Sequence, residues 1–399
     1  MRAYLQGHLK SSVAPFYYET TSDNNGHFYF NVPSSAWDPL YEQEREPAIY
    51  NIVVSKDGYV TDFKSVEVTS SVVTWYDKDG AVSDGTYVLG TTGTEISGTV
   101  TDGTTGIDAA TVRAYDTDYR GTLVKVGTAT TDAAGDYALP KLLSGRTYVV
   151  SARKTNYMVK SNNVTATTSS NNYTLQQVDG STVITQTIKL RYNPADNLFD
   201  KGWNMVSIPL NVDPNTPLPV LLYDIDDKWM QITRLKPGTG FTPPGHAAGG
   251  AWEIYPNSPL ASGTDSVFTM HETTANGQPY RYGYWLKVTG DSTEQTYNWV
   301  IVGTPNTQKT IQLRAGWNLI GLATLTNNQS FANGGQISFS PSNVLQIWSY
   351  DAYTAGDPQL GDHWYAYIIG GYQSTGFTVM KIGMAYYVYV SQDCTMSYA

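Results

Sequence analysis

Cysteine and charge are both scarce in this chain. Cys394 is the single cysteine among 399 residues, which excludes an intramolecular disulfide and a zinc site made of several thiolates. Charged residues make up 15%, compared with about 25% in average soluble proteins. The chain is instead rich in glycine (36) and tyrosine (31), which favour turns and strands. We therefore predict an all-β protein in which Cys394 is either a free thiol or half of an intermolecular bridge.

Positive charge is in deficit, with 25 bases against 35 acids and a net charge of −10. A negative surface repels phosphate backbones and anionic lipids, so we expect neither nucleic-acid binding nor adhesion to a membrane surface. The chain also has no uninterrupted apolar run of the 18 or so residues that a membrane span needs, so we expect no membrane insertion.

Sequence motifs of catalysis are missing as well. Neither the Gly-x-Ser-x-Gly nucleophile elbow nor a phosphate-binding Gly-Lys-Ser/Thr loop occurs. The five histidines are scattered, without the close spacing that presents two ring nitrogens to one metal ion. We therefore assign no catalytic residue and expect a protein that is not an enzyme.

A first pair of repeats spans residues 1–70 and 96–170. Residues 1–4 parallel 112–115, and the turn at 21–28 parallels the turn at 130–137. Each turn places an Asp three positions before a Gly, so the carboxylate can accept backbone N–H bonds while the glycine adopts a positive φ. The alternating residues that follow, 28–30 and 137–139, are predicted to be strands.

The second of these copies resembles a carboxypeptidase regulatory-like domain. The resemblance rests on Ile-Ser-Gly-Thr-Val-Thr-Asp at 96–102, the Thr-Asp-x-x-Gly-x-Tyr turn and the Tyr-x-Val-x-Ala strand from Tyr148. It covers about residues 96–190, with a looser copy at 1–75. The resemblance implies a transthyretin-like sandwich of seven strands that serves as a non-catalytic spacer.

A second pair of repeats carries the triplet Gly-Trp-Asn, at 202–204 and again at 316–318. Both copies continue with a Trp-x-x-Tyr strand and a late aromatic strand. They resemble the Gly-Trp-Asn-Leu modules found in tandem in exported bacterial and archaeal surface proteins, which implies an extracellular or cell-surface location. Because Trp203 and Trp317 occupy the same position and open apolar strands, we expect both in the core.

These repeats predict four tandem β-sandwich-like domains of the immunoglobulin or transthyretin type. The predicted domains are residues 1–95, 96–195, 196–307 and 308–399. The first copy lacks a counterpart of residues 95–111, and the fourth lacks most of the strand that corresponds to 296–303. Two explanations remain open: the sequence is part of a longer polypeptide, or neighbouring subunits supply the missing strands.

Two ligand sites are candidates. Asp77, Asp79 and Asp84 place carboxylates close together beside a domain boundary, so they are candidate calcium ligands, although no closing Glu completes a twelve-residue loop. Exposed aromatic rows could stack on a cell-surface glycan. The densest cluster has large residues on both faces of its strand, which also fits a core; it comprises Trp364, Tyr365, Tyr367, Tyr386, Tyr387 and Tyr389.

The function that these features favour is structural. We expect a subunit of an extracellular assembly or filament that associates with identical subunits by β-strand complementation or end-to-end contacts. The alternative is an adhesin or glycan-binding region of a larger exported protein.

Overall fold

The computed structural model describes most of the chain. The described residues are 2–7, 17–38, 43–167, 170–196, 201–225, 228–235, 252–255, 282–290, 293–306, 309–322, 329–331, 335–354, 356, 359–360 and 363–398. They are almost entirely β, as the composition predicts, with a short helix α1 (Leu218–Leu221) and a 3-10 turn at Tyr223–Ile225. The chain divides into two compact units, mainly residues 1–179 and 180–399, with 212–221 joining the first.

The first repeat forms a six-stranded sheet in the order β2-β1-β5-β6-β7-β8. Two short strands, β3 and β4, pair separately in an excursion before β5. The strands are β1 (Arg2–Gly7), β2 (Tyr17–Thr21), β3 (Ala36–Asp38), β4 (Gln43–Arg45), β5 (Ala48–Ser55), β6 (Asp62–Val68), β7 (Val73–Tyr76) and β8 (Val82–Ser83).

The second repeat forms a four-stranded sheet, β11-β10-β13-β14, and a three-stranded sheet, β12-β9-β15. Buried side chains of both sheets join in one apolar cluster, which makes this repeat a sandwich. The strands are β9 (Ser97–Thr101), β10 (Thr111–Thr117), β11 (Leu123–Thr130), β12 (Asp136–Ala138), β13 (Thr147–Arg153), β14 (Lys160–Thr165) and β15 (Tyr173–Thr174).

Strand pairing corrects the alignment of these two repeats. Ala3 pairs with Val54 in the first repeat, and Val112 pairs with Ala152 in the second. With Tyr50 aligned on Tyr148, Ala3 corresponds to Val112, two positions away from the sequence match. The sequence match was wrong because it relied on the four-residue similarity of 1–4 to 112–115. A shift of two residues keeps every side chain on the same face of the sheet, so the pattern of apolar residues does not reveal it.

The second unit contains both Gly-Trp-Asn repeats. Its four-stranded sheets have the orders β17-β20-β18-β19 and β23-β29-β26-β27, and smaller sheets pair β16 with β21, β24 with β28, and β30 with both β22 and β25. The strands are β16 (Ile184–Tyr192), β17 (Trp203–Ser207), β18 (Trp229–Leu235), β19 (Trp252–Tyr255), β20 (Gly283–Val288), β21 (Gln295–Gly303), β22 (Thr310–Leu313), β23 (Gly316–Gly321), β24 (Gln329–Ser330), β25 (Ser338–Ser340), β26 (Val344–Tyr350), β27 (Trp364–Ile368), β28 (Val379–Met380), β29 (Ala385–Val390) and β30 (Cys394–Ser397).

Two predictions for the Gly-Trp-Asn repeats need correction, one on a domain boundary and one on the last strand of the fourth repeat. The boundary at 195 is too late in the chain, because β16 precedes it and yet pairs along its whole length with β21. The fourth repeat is not open at its last strand, because β30 lies between β22 and β25 and Tyr398 is buried beyond it. β22 and β30 are thus the shorter counterparts of β16 and β21.

The Gly-Trp-Asn triplet has the same structural role in both copies. The Asn204 amide accepts the N–H of Arg191 (2.8 Å) and donates to the carbonyls of Arg191 and Gly202 (both 3.0 Å). Asn318 makes the equivalent bonds to Arg314 (3.0 and 2.8 Å) and Gly316 (3.1 Å). Each amide therefore satisfies backbone groups where the sheet edge would otherwise leave them unpaired.

The glycine and the tryptophan of the triplet are equally constrained. Gly202 has φ +75°, and a Cβ there would lie 2.1 Å from the carbonyl oxygen of Val288, so only glycine fits. Trp203 and Trp317 are 1% and 3% exposed, which confirms that both are core residues. They belong to one cluster shared by both repeats, in which the Trp285 indole donates to the Tyr387 hydroxyl (2.7 Å).

We predict that replacing Trp317 by Ala lowers the free energy of unfolding by about 3–5 kcal/mol, because a large buried ring leaves a cavity in the shared cluster. Denaturant unfolding measures the change. The control is Leu345→Ala in the same unit, where the side chain is exposed and a change within about 0.5 kcal/mol is expected. Equal effects of the two substitutions would contradict a core role for Trp317.

Candidate strand-acceptor site

In the second repeat, β9 fills the middle of the smaller sheet. It runs antiparallel to β12, with Gly98 opposite Tyr137, and parallel to β15, with Val100 opposite Tyr173. Ile96 and Val100 point into the core and are completely buried. They pack in the same cluster as four residues of the flanking segments, all of them buried: Tyr137, Leu139, Tyr173 and Leu175.

The first repeat reproduces the frame around this position. The Tyr87 hydroxyl donates to the Ile52 carbonyl (2.8 Å), just as the Tyr173 hydroxyl donates to the Val150 carbonyl (2.9 Å). With Tyr50 aligned on Tyr148, Ile52 corresponds to Val150, so Tyr87 is the counterpart of Tyr173.

The aromatic ring pairs match as well. The rings of Phe28 and Tyr87 are 5.9 Å apart, and those of Tyr137 and Tyr173 are 6.4 Å apart. Phe28 is therefore the counterpart of Tyr137. By the same spacing, Phe30 and Leu89 correspond to Leu139 and Leu175.

Within the described chain, no strand lies between these segments of the first repeat. The four counterparts of the buried residues, Phe28, Phe30, Tyr87 and Leu89, are only partly buried. Their neighbours Tyr29 and Val88 are 79% and 86% exposed. The prediction of a strand at 28–30 was wrong, because a strand needs a hydrogen-bonding neighbour and the structure describes none there.

The backbone N–H groups beside this space also lack the hydrogen-bond acceptors that β9 provides in the second repeat. In the second repeat, the Leu139 N–H donates to the Ile96 carbonyl (2.9 Å) and the Leu175 N–H to the Thr101 carbonyl (2.8 Å). The corresponding N–H groups of Phe30 and Leu89 have no acceptor among the residues that the structure describes. We call the space bounded by residues 26–30 and 85–89 the acceptor slot.

A local turn holds one side of the acceptor slot and an aromatic contact holds the other. On one side, Asp23 accepts the N–H groups of Asn25 (2.8 Å) and His27 (2.9 Å), and Gly26 has φ +86°, as the Asp-x-x-Gly pattern predicts. The His27 N–H bond lowers the pKa of the Asp23 carboxyl. On the other side, Trp75 packs edge-on against Tyr87 at 6.3 Å. The frame is therefore built without a strand inside it.

The candidate calcium ligands have separate roles. Asp77 accepts the N–H groups of Asp79 and Ala81 (both 2.9 Å) and so repeats the Asp-x-x-Gly turn of Asp23. Asp79 lies 3.6 Å from the Arg146 guanidinium. Asp84 accepts the Thr86 N–H (2.9 Å), which lowers its pKa. Among the described residues, no group of three or more His, Cys, Asp or Glu side chains could hold a metal ion.

The aromatic cluster considered for glycan binding is largely interior. Trp364, Tyr386 and Tyr387 are buried, whereas Tyr365, Tyr367 and Tyr389 are partly buried and pack against core clusters. The expectation of a strand buried on both faces is confirmed for Tyr386 and Tyr387.

Cys394 is buried in β30, and this burial raises the pKa of its thiol, which disfavours the intermolecular bridge.

Comparison with protein-family models, with curated proteins and with solved structures finds no match. Within the part of the chain that the structure describes, no helix is long and apolar enough to cross a membrane.

We predict that the amides of Phe30 and Leu89 exchange with solvent at least about tenfold faster than those of Leu139 and Leu175 when the protein is dilute, because only the latter pair has acceptors. Hydrogen exchange measured by NMR tests this. Comparable protection at all four amides would mean that the slot is already filled.

A calcium titration tests the turn interpretation of Asp77. We expect the same melting temperature in millimolar calcium and in excess chelator, because the Asp77 carboxylate already accepts two backbone N–H groups. A rise in melting temperature that saturates with calcium and disappears in an Asp77→Asn variant would restore the calcium site.

Proposed function

We propose that this chain is a non-catalytic structural subunit of an extracellular surface assembly or filament, and that it associates with identical subunits by β-strand complementation. The observation that carries this proposal is the acceptor slot. Its four apolar side chains are half-buried where their counterparts are buried, and the N–H groups of Phe30 and Leu89 have no acceptor among the described residues. An extended segment from a neighbour would cover these side chains and pair these groups.

The first repeat is suited to transmit such a contact because it is fixed to the second repeat by buried polar bonds. Asn51 donates to Asp118 (3.2 Å) and accepts from Ser65 (2.6 Å), with all three residues buried. The Tyr119 hydroxyl also donates to Glu67 (2.9 Å). A strand bound in the slot would thus be held in a fixed orientation to the whole first unit.

A contact of this kind is heterologous, because the surface that donates the strand differs from the surface that accepts it. Repeated contacts of this type produce a filament unless their rotation closes a ring. The extracellular location rests on the resemblance of the Gly-Trp-Asn repeats to modules of exported surface proteins. The aromatic cluster behind the glycan-binding alternative is largely buried, so we do not propose that alternative here.

A self-complemented variant tests the proposal. A copy of residues 95–109 is joined ahead of Met1, which places a second β9 sequence at the distance from β1 that separates β9 from β10. We expect the unmodified chain to form concentration-dependent oligomers or fibres, seen by light scattering and electron microscopy. The self-complemented variant should remain monomeric, because its own strand fills the slot.

The matched control carries the same graft with Asp in place of the two residues copied from Ile96 and Val100. The control should assemble like the unmodified chain, because two carboxylates cannot be buried unpaired in the core. A monodisperse unmodified monomer at all concentrations tested would refute the structural-subunit proposal.

A further inference from the structure

We propose that the acceptor slot binds an extended peptide segment with two aliphatic residues four positions apart and a glycine midway between them. The segment runs antiparallel to residues 27–29 and parallel to residues 87–88. This inference rests on the proposed function and specifies the partner of the same site. The sequence pattern and direction of the segment are inferred from the second repeat, in which β9 occupies the same frame.

The direction and register follow from strand pairing in the second repeat. Gly98 pairs with Tyr137, and Val100 pairs with Tyr173. Since Phe28 and Tyr87 are the counterparts of these two tyrosines, the midpoint of the bound segment lies opposite Phe28. The residue two positions later then lies opposite Tyr87.

The aliphatic positions follow from burial. Ile96 and Val100 are fully buried in a cluster that includes the counterparts of Phe28, Phe30, Tyr87 and Leu89. The first repeat exposes part of each of these four side chains to solvent. Burying an aliphatic side chain against them removes apolar surface from water and stabilises the bound state, so both positions contribute to recognition.

The glycine follows from a close backbone approach. A Cβ on Gly98 would lie 1.9 Å from the carbonyl oxygen of Asn171, so a larger residue cannot lie there without moving the backbone. Asn171 is two residues before Tyr173, and the residue two positions before Tyr87 is Gly85. We expect the Gly85 carbonyl to approach the bound segment in the same way.

The comparison with the second repeat also predicts which residues beside the slot remain exposed when a segment is bound. Ala138 and Thr174 flank β9 with their side chains exposed even though the strand is present. Their counterparts are Tyr29 and Val88, which are strongly exposed. Successive N–H groups of an extended segment point to opposite edges, so the amides of Tyr29 and Val88 face away from the slot when those of Phe30 and Leu89 face into it. A segment bound in the slot should therefore protect the amides of Phe30 and Leu89 and leave those of Tyr29 and Val88 in exchange.

The experiment uses the full chain and a synthetic peptide with the sequence of residues 94–102, Thr-Glu-Ile-Ser-Gly-Thr-Val-Thr-Asp. We expect saturable binding of one peptide per chain, measured by calorimetry at a protein concentration below that of assembly. Amide exchange should slow at Phe30 and Leu89 and stay unchanged at Tyr29 and Val88. The peptide should also inhibit oligomer formation by competing for the slot.

Three control peptides keep the test specific while the protein sequence is unchanged, so misfolding cannot explain a loss of binding. The first replaces the residues of Ile96 and Val100 by Asp, the second replaces the central glycine by Val, and the third exchanges the central glycine with the serine before it. Each should bind about tenfold more weakly or worse, because an unpaired buried charge or a steric clash opposes insertion. Equal binding of the Asp peptide, or no binding of the parent peptide, would overturn the inference.

The outcome also separates this inference from the proposed function. If the chain forms fibres but neither binds the peptide nor responds to it, the inference fails and assembly proceeds through other contacts. If the peptide binds with the expected protection pattern but the chain never self-associates, the slot accepts a strand of this pattern and the proposal of identical partners fails.

Discussion

Each β-strand must find partners for its backbone N–H and C=O groups, and this requirement governs the protein described here. In the second repeat, β9 supplies hydrogen-bond partners for the backbone groups of the segments on either side. The first repeat builds the same frame, with the same tyrosine hydroxyl bond and the same pair of aromatic rings. The two repeats therefore share this frame but not the strand inside it, and the acceptor slot is defined by direct comparison within one chain.

The Gly-Trp-Asn repeats meet the same requirement with a side chain. Asn204 and Asn318 each bind backbone groups of an Arg within one residue of the end of the preceding strand, Arg191 and Arg314. An amide can do this because it offers both a donor and an acceptor. The triplet thus combines a backbone turn, a core anchor and a strand-edge partner in three consecutive residues.

Local chemistry could be predicted from sequence, and long-range pairing could not. The Asp-x-x-Gly turn at Asp23 and the burial of Trp203 follow from the residues themselves. The partner of β16 lies more than 100 residues away in β21, which no local pattern reveals. Asp77 was a candidate calcium ligand because turn carboxylates and metal ligands share one composition; the structure places its carboxylate in a turn like that of Asp23. Tyr87 was missed because the alignment of repeats stopped before the Thr-Tyr-Val-Leu string that matches Asn-Tyr-Thr-Leu at 172–175.

The shared tryptophan cluster of the second unit has a consequence for how such proteins can change over evolutionary time. Trp203 and Trp285 of one repeat pack in the same cluster as Trp317 and Trp364 of the other. Deleting one repeat from the gene would expose the apolar face of the survivor to water. The loss of one repeat would therefore be tolerated only together with polar substitutions on that face.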